Sequence, residues 1–199
     1  AAEPWSGSLL ALRVVRLFSV LLGAATVYLT WRIAGETAPG RPEIALGAAA
    51  LNAFLPMFLF ISGAVNNDNL ALPLTSLALL LMIRIVTRRT GAYQPVRWWE
   101  WATVGAVVGL AALTKEGTLG LFPMIFGTAV VAAWQRFVAG GRDARDNSSA
   151  TWPAVRGLLS AAVFALVPAL LIAGWWYYRN IVLYGDWLGW SAFIAVLGE

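Results

Sequence analysis

Apolar stretches long enough to cross a bilayer leave this chain few folds to choose from. A hydrocarbon core about 30 Å thick takes roughly 18–20 apolar residues of helix to cross, and every backbone polar group inside it must be satisfied by the spanning structure itself. Six stretches reach or approach that length: 9–33, 44–64, 70–86, 98–114, 118–137 and 157–178. The expected fold class is therefore all-α, a polytopic transmembrane helix bundle of about six spans. It forms a single transmembrane domain over 1–199, with 179–199 as an interfacial tail. Only 12% of the residues are charged, against about 25% in ordinary soluble domains.

The joints between spans are chemically distinct. Gly35 to Gly40, with Pro39 inside, is ordinary turn chemistry, and Lys115-Glu116-Gly117 and Thr87 to Gly91 also interrupt apolar runs. Pro56 and Pro123 read as internal to the second and fifth spans. Trp98, Trp99 and Trp101 read as an interfacial aromatic belt opening the fourth, and Gly105 and Gly109 as a small-residue packing face within it. The first eight residues have no basic n-region and do not resemble a signal peptide, so the chain is expected to be processed or part of a longer protein.

Six spans place the joints alternately on two sides, and the cations are divided unequally between them. One side carries Arg32, Arg41, Arg84, Arg88, Arg89, Arg97, Arg136, Arg142, Arg145 and Arg156; the other carries Arg13, Arg16, Lys115 and Arg179. Ten against four makes the first side cytoplasmic by the positive-inside rule. The expected location is a bacterial inner or plasma membrane, with Asp68, Lys115, Glu116, Arg179 and Asp186 on the extracytoplasmic face. The sequon Asn147-Ser148-Ser149 then falls in a cytoplasmic loop and reads as a polar loop only.

The same composition excludes several functions. The cations punctuate helix ends and form no basic stripe, so no nucleic-acid partner is expected. With neither Cys nor His there is no disulfide, no zinc site of the usual ligands and no Ser–His nucleophile pair; an oxygen-ligated Mg²⁺ or Mn²⁺ remains compatible with the residues present.

Asp68, in the run Asn66-Asn67-Asp68-Asn69, is the polar feature most in need of a reason. The bland reading is helix capping, by Asp68 at the start of the third span or by Asn66 or Asn67 at the end of the second. A cap can still bind a ligand, because a carboxylate fixed at a helix N-terminus with amides beside it suits a cation. Lys115 and Glu116 read either as a solvated surface turn or as two groups with separate partners, since adjacent helical residues do not face each other. Arg179, after Trp175-Trp176-Tyr177-Tyr178, either snorkels to the interface or presents a fork suited to phosphate. Carboxylates and cations without histidine are the toolkit of glycosyl transfer, with a base and a stabilised departing phosphate.

The run Leu55 to Leu70 resembles polytopic glycosyltransferases of the GT-C superfamily, of the protein-mannosyltransferase and aminoarabinose-transferase type. Gly109-Leu110-Ala111-Ala112-Leu113-Thr114-Lys115 and Trp176-Tyr177-Tyr178-Arg179-Asn180 followed by Tyr184-Gly185-Asp186 agree in order and spacing. Arg16 to Gly23 resembles the family's second transmembrane helix, so the chain is expected to be the middle portion of a GT-C fold. The resemblance implies transfer from a lipid-linked sugar phosphate at the outer face. Asp68 would be the catalytic or metal-contacting acid, and Lys115, Glu116, Arg179 and Asn67 would bind substrate and phosphate. Family members carry their catalytic Asp in a large first outer loop, for which Glu3 is a poor substitute, so a fragment, a split subunit or a non-catalytic relative is also expected. The rival reading is an accessory or structural subunit, packed among membrane lipids and partner membrane subunits through Gly105 and Gly109.

Overall fold

The structure is a computed structural model and describes residues 7–87, 96–143 and 148–198. Glu3, Arg88, Arg89, Arg145 and Asn147 lie outside those residues. The described residues are helical throughout, with no strand among them, and fall into two compact units, 1–90 and 91–199.

The first unit holds α1 (Ser8–Thr37), α2 (Pro42–Ala53), α3 (Pro56–Gly63) and α4 (Asp68–Thr87). Gly40, at φ 81°, makes the turn into α2, a conformation costly for any residue with a Cβ. The second stretch is not one continuous helix: α2 and α3 meet at a 61° bend. Pro56 begins α3 instead of sitting inside a span, and Leu55 before it is extended, at φ −67° and ψ 117°. A proline ring disfavours the α conformation for the preceding residue and has no N–H to give the turn before it, so the helix restarts there.

Contacts along α1 fix the direction of the other helices. Gly23 lies against Ser62 of α3, and Thr30 accepts a 2.8 Å hydrogen bond from Asn52 of α2. At the far end of α1, Arg84 Nε donates to Glu36 at 2.7 Å. Thus α1 and α4 run parallel and the bent α2–α3 pair returns between their ends. Asp68 and the Arg84–Glu36 pair consequently occupy opposite ends of the unit, about 24 Å apart at 1.5 Å per helical residue.

The second unit holds α5 (Trp98–Thr114), a 3₁₀ turn (Glu116–Gly120), α6 (Leu121–Asp143) and α7 (Ser148–Ala169). A π-helical turn (Leu170–Gly174), α8 (Trp175–Tyr184) and α9 (Trp190–Leu197) complete it. Gly105 and Gly109 of α5 meet Ala165 and Ala169 of α7; a Cβ on Gly105 would run into the Ala165 carbonyl. Glycine is required there because two helix backbones touch. Further along, Tyr177 donates to the Ala112 carbonyl at 2.9 Å, so α5 and the α7–α8 helix run parallel. Arg136 of α6 lies against Gly157 near the start of α7, and α6 runs the other way.

Among the described residues, four helices are long and apolar enough to cross a membrane, five if the bent α2–α3 pair counts as one span; α5, with 17 residues, sits at the short end of what a span requires. The last of them continues from Ala154 to Tyr184, beyond the expected end at 178, so Arg179 is carried on helix and the tail begins only at Gly185. Trp98 and Trp99 are exposed as an aromatic belt requires, but Trp101 is 3% exposed and belongs to the core.

Side-chain size is distributed the opposite way from a soluble protein. Ala78, Val104, Val108, Ala111, Ala165 and Ala169 are fully buried, while Leu17, Leu21, Phe60 and Leu171 are among many large apolar side chains turned outward. Such continuous apolar exposure is expected only against lipid. Small residues inside let helices approach where lipid removes the hydrophobic drive to associate. The chain is an integral membrane protein.

Candidate functional site

Each unit has one polar end that gathers residues singled out in the sequence. In the first, α3 stops at Gly63 and four residues make a closed knot before α4 gets under way. Asn66 accepts the Asp68 backbone N–H on its side-chain oxygen at 3.2 Å and donates its amide to the Asp68 carboxylate, also at 3.2 Å. The side chain of Asn66 thus forms an Asx turn over the start of α4. Asp68 is the first residue of α4, where a carboxylate is favoured by the helix dipole. Asn67, exposed, closes the first turn by accepting the N–H groups of Leu70 and Ala71 on its carbonyl.

Asn69 does structural work that sequence reading misses. Its side chain is 3% exposed and donates to the Ala64 carbonyl at 2.6 Å. That bond satisfies a carbonyl at the end of α3 and ties it to the start of α4. The result is a half-buried Asp68 held by two Asn66 contacts, beside an Asn69 that ties α3 to α4. An amide cluster beside a helix start was the available signal, though not which of its three members turns inward.

In the second unit, Lys115 caps α5 in an extended conformation, and its carbonyl accepts both the hydroxyl (2.7 Å) and the N–H (3.1 Å) of Thr118. Glu116 accepts the indole N–H of Trp190 at 2.9 Å, joining the α5 end to α9. Asn180, 4% exposed, donates to the Trp187 carbonyl at 3.3 Å. Asp186 then caps α9: its carboxylate accepts the N–H groups of Leu188 (3.1 Å), Trp190 (2.7 Å) and Ser191 (3.3 Å). These bonds stabilise the charged form and hold the Asp186 carboxyl below the usual carboxylate range, the Leu188 N–H contributing most.

Lys115 and Glu116 thus share one end of the unit with Tyr177, Asn180 and Asp186. Arg179 is at the same end of its helix but on a different side. It is exposed, and its guanidinium lies 5.2 Å from the centre of the Trp176 ring. Two residues on from Tyr177 is about 200° around a helix of 3.6 residues per turn, so Arg179 turns away from the contact that Tyr177 makes with α5.

A metal held by Asp68 finds little support in the donor set. Among the described residues no three His, Cys, Asp or Glu side chains gather anywhere. Asp68 would offer one carboxylate already receiving the Asn66 amide. The described residues build no all-protein cage of three such ligands for Mg²⁺ or Mn²⁺.

Comparison with known proteins decides the class. The profile of the dolichyl-phosphate-mannose-protein mannosyltransferase family matches residues 10–169. The chain belongs to that family. It is thereby placed among GT-C membrane glycosyltransferases. No curated protein and no solved structure matches it. The mannosyltransferase-family match runs from α1 to the end of α7, so Asp68, Lys115 and Glu116 lie inside it, while Arg179, Asn180 and Asp186 follow it.

Proposed function

We propose that this chain carries part of the machinery of a membrane glycosyltransferase that takes its sugar from a polyprenyl-phosphate carrier at the outer face of a bacterial membrane. Family membership over 160 of 199 residues (10–169) is the observation that carries the reading. In the reaction, an acceptor hydroxyl oxygen forms a bond to the sugar's anomeric carbon as the bond from that carbon to phosphate oxygen breaks. The electron pair leaves with the polyprenyl phosphate, and the hydroxyl proton passes to a base.

We assign the base to Asp68. A fixed carboxylate at the start of a helix suits the role, and the Asn66 contacts hold it in one orientation. Asn67 offers an exposed amide to sugar hydroxyls. Taken within the second unit, Lys115 and Arg179, on different sides of it, are each proposed as phosphate contacts, a role that suits a cation where negative charge grows. Glu116 suits a phosphate contact poorly because it is an anion. Its bond to Trp190 supports a positioning part instead, holding the chain around Lys115.

The accessory-subunit reading has less support. It relies on Gly105 and Gly109 as a docking face for partner membrane subunits, and those glycines already lie against α7 of the same unit.

The test is reconstitution of the enzyme in proteoliposomes with two labelled donors, a polyprenyl-phosphate-linked sugar and a nucleotide sugar. Transfer from the first and none from the second is expected. Transfer from the nucleotide sugar alone, or from neither, would end the proposal.

A further inference from the structure

The end of the first unit opposite Asp68 contains an open cleft of about 410 Å³ where α1 turns into α2. Trp31, Arg32, Gly35, Glu36, Gly40 and Arg41 are among the residues that line it. The position matters first. These residues occupy the last turns of the α1 span and the turn just after it, where a spanning helix meets the head-group layer, and Trp31 is half exposed there as interfacial tryptophans are.

The charge of the cleft matters next. Glu36, the one carboxylate among the described residues that line it, is engaged by Arg84 at 2.7 Å with both side chains about two-thirds buried, so its charge is balanced from the α4 side. Arg32 and Arg41 remain as cations on the wall. Arg32 is held by a 2.9 Å hydrogen bond to the Tyr28 hydroxyl and lies 5.9 Å from the centre of that ring. One guanidinium N–H used in this way leaves four others on a pre-set fork. Arg41 sits 3.5 Å from Glu43, with both side chains about two-thirds exposed. Such an exposed pair contributes little and yields readily to the stronger bidentate bonds that guanidinium forms with phosphate. Gly35 and Gly40 keep the floor open: a Cβ at either would meet nothing within 4 Å.

Two arginines around an open, glycine-floored cleft at the membrane boundary point to an anionic phospholipid. We propose that this cleft binds the phosphate of an anionic phospholipid head group between Arg32 and Arg41, at the end of the unit away from the candidate acid. The lipid is a structural ligand that braces the α1–α2 turn, independent of the sugar donor.

Native mass spectrometry of the full chain in detergent, titrated with phosphatidylglycerol and separately with phosphatidylcholine, tests it. The unaltered chain is expected to retain one phosphatidylglycerol at least about ten-fold more tightly than phosphatidylcholine, a margin that two charge-assisted contacts readily supply. The double variant Arg32→Gln/Arg41→Gln should lose that preference. So should Gly35→Leu, which fills the cleft while keeping both charges, and Arg13→Gln/Arg16→Gln should keep it. Retention of the preference by either cleft variant would overturn the proposal, as would equal binding of the two lipids. Displacement of the bound lipid by millimolar inorganic phosphate would assign the site to free phosphate and overturn it likewise.

Discussion

In the first unit the polar end is tied together within five residues of chain, by Asn66 to Asp68 and Asn69 to Ala64. In the second unit the corresponding ties cross 65 and 74 residues, from Tyr177 to Ala112 and from Trp190 to Glu116. The local knot keeps its shape whatever its helices do to one another. The long-range ties exist only while α5 and the α7–α8 helix stay in register, and that register rests on Gly105 and Gly109 packed against Ala165 and Ala169. Asp68 is therefore insulated from packing changes, whereas the surroundings of Lys115 are coupled to the core of their unit.

Breaking the packing should separate the two behaviours most strongly. Gly105→Ala drives a methyl group into the Ala165 carbonyl and should cost about 3 kcal/mol, the upper part of the range for overpacking. Thermal unfolding in detergent measures the loss. Hydrogen exchange should rise at 115–120 and stay unchanged at 66–71. Gly127→Ala, where a Cβ meets nothing, is the control and should be nearly silent. Next in size, Asn69→Ala should cost about 2 kcal/mol by leaving the part-buried Ala64 carbonyl at the end of α3 without its donor, and here the exchange pattern should reverse. Tyr177→Phe removes one neutral hydrogen bond to Ala112, worth about 1 kcal/mol, and should loosen the α5 end alone.

The smallest effect is a pH response confined to the second unit. The Asp186 carboxyl is held below its ordinary range in the folded chain. Its contribution is thus present above the unfolded carboxylate pKa and is lost as pH falls through the folded one. Protection factors at the Leu188, Trp190 and Ser191 amides, taken relative to the intrinsic rate at each pH, should fall on acidification, and Asp186→Asn should remove most of that pH dependence. Unchanged protection of these three amides in acid would show that the cap holds α9 by other means.

Much of this was legible in the residues, and the misses have physical reasons. The apolar helical character, the turn at Gly40 and the break at Lys115 follow from local chemistry, which sequence displays directly. Pro56 was harder, because a proline in a membrane helix is tolerated when neighbours satisfy the freed carbonyls; whether it kinks or starts a helix depends on tertiary partners. Trp101 shares the composition of the aromatic belt beside it, and only the phase of α5 against its neighbours turns it inward. Arg179 resembles a helix end, yet an arginine lying over Trp176 is carried on a helix that continues to Tyr184. In the candidate site, Asn66 and Asp68 are neighbours in sequence and were visible together. The bonds of Tyr177 and Trp190 join positions so far apart that no spacing rule connects them.

Arg84 illustrates the same limit from the other side. As one of the arginines on the basic side of the chain it reads as an orientation signal, and its 2.7 Å pairing with Glu36 gives it a second part in joining α1 to α4.

Sugar transfer by an Asp68→Asn variant of the reconstituted enzyme tests the central claim most directly. The substitution preserves shape and removes the base, so transfer from the polyprenyl-phosphate-linked sugar should fall at least about 100-fold, with the unfolding temperature unchanged and Glu43→Gln at the opposite end fully active. Transfer by Asp68→Asn at the unaltered rate would contradict the account.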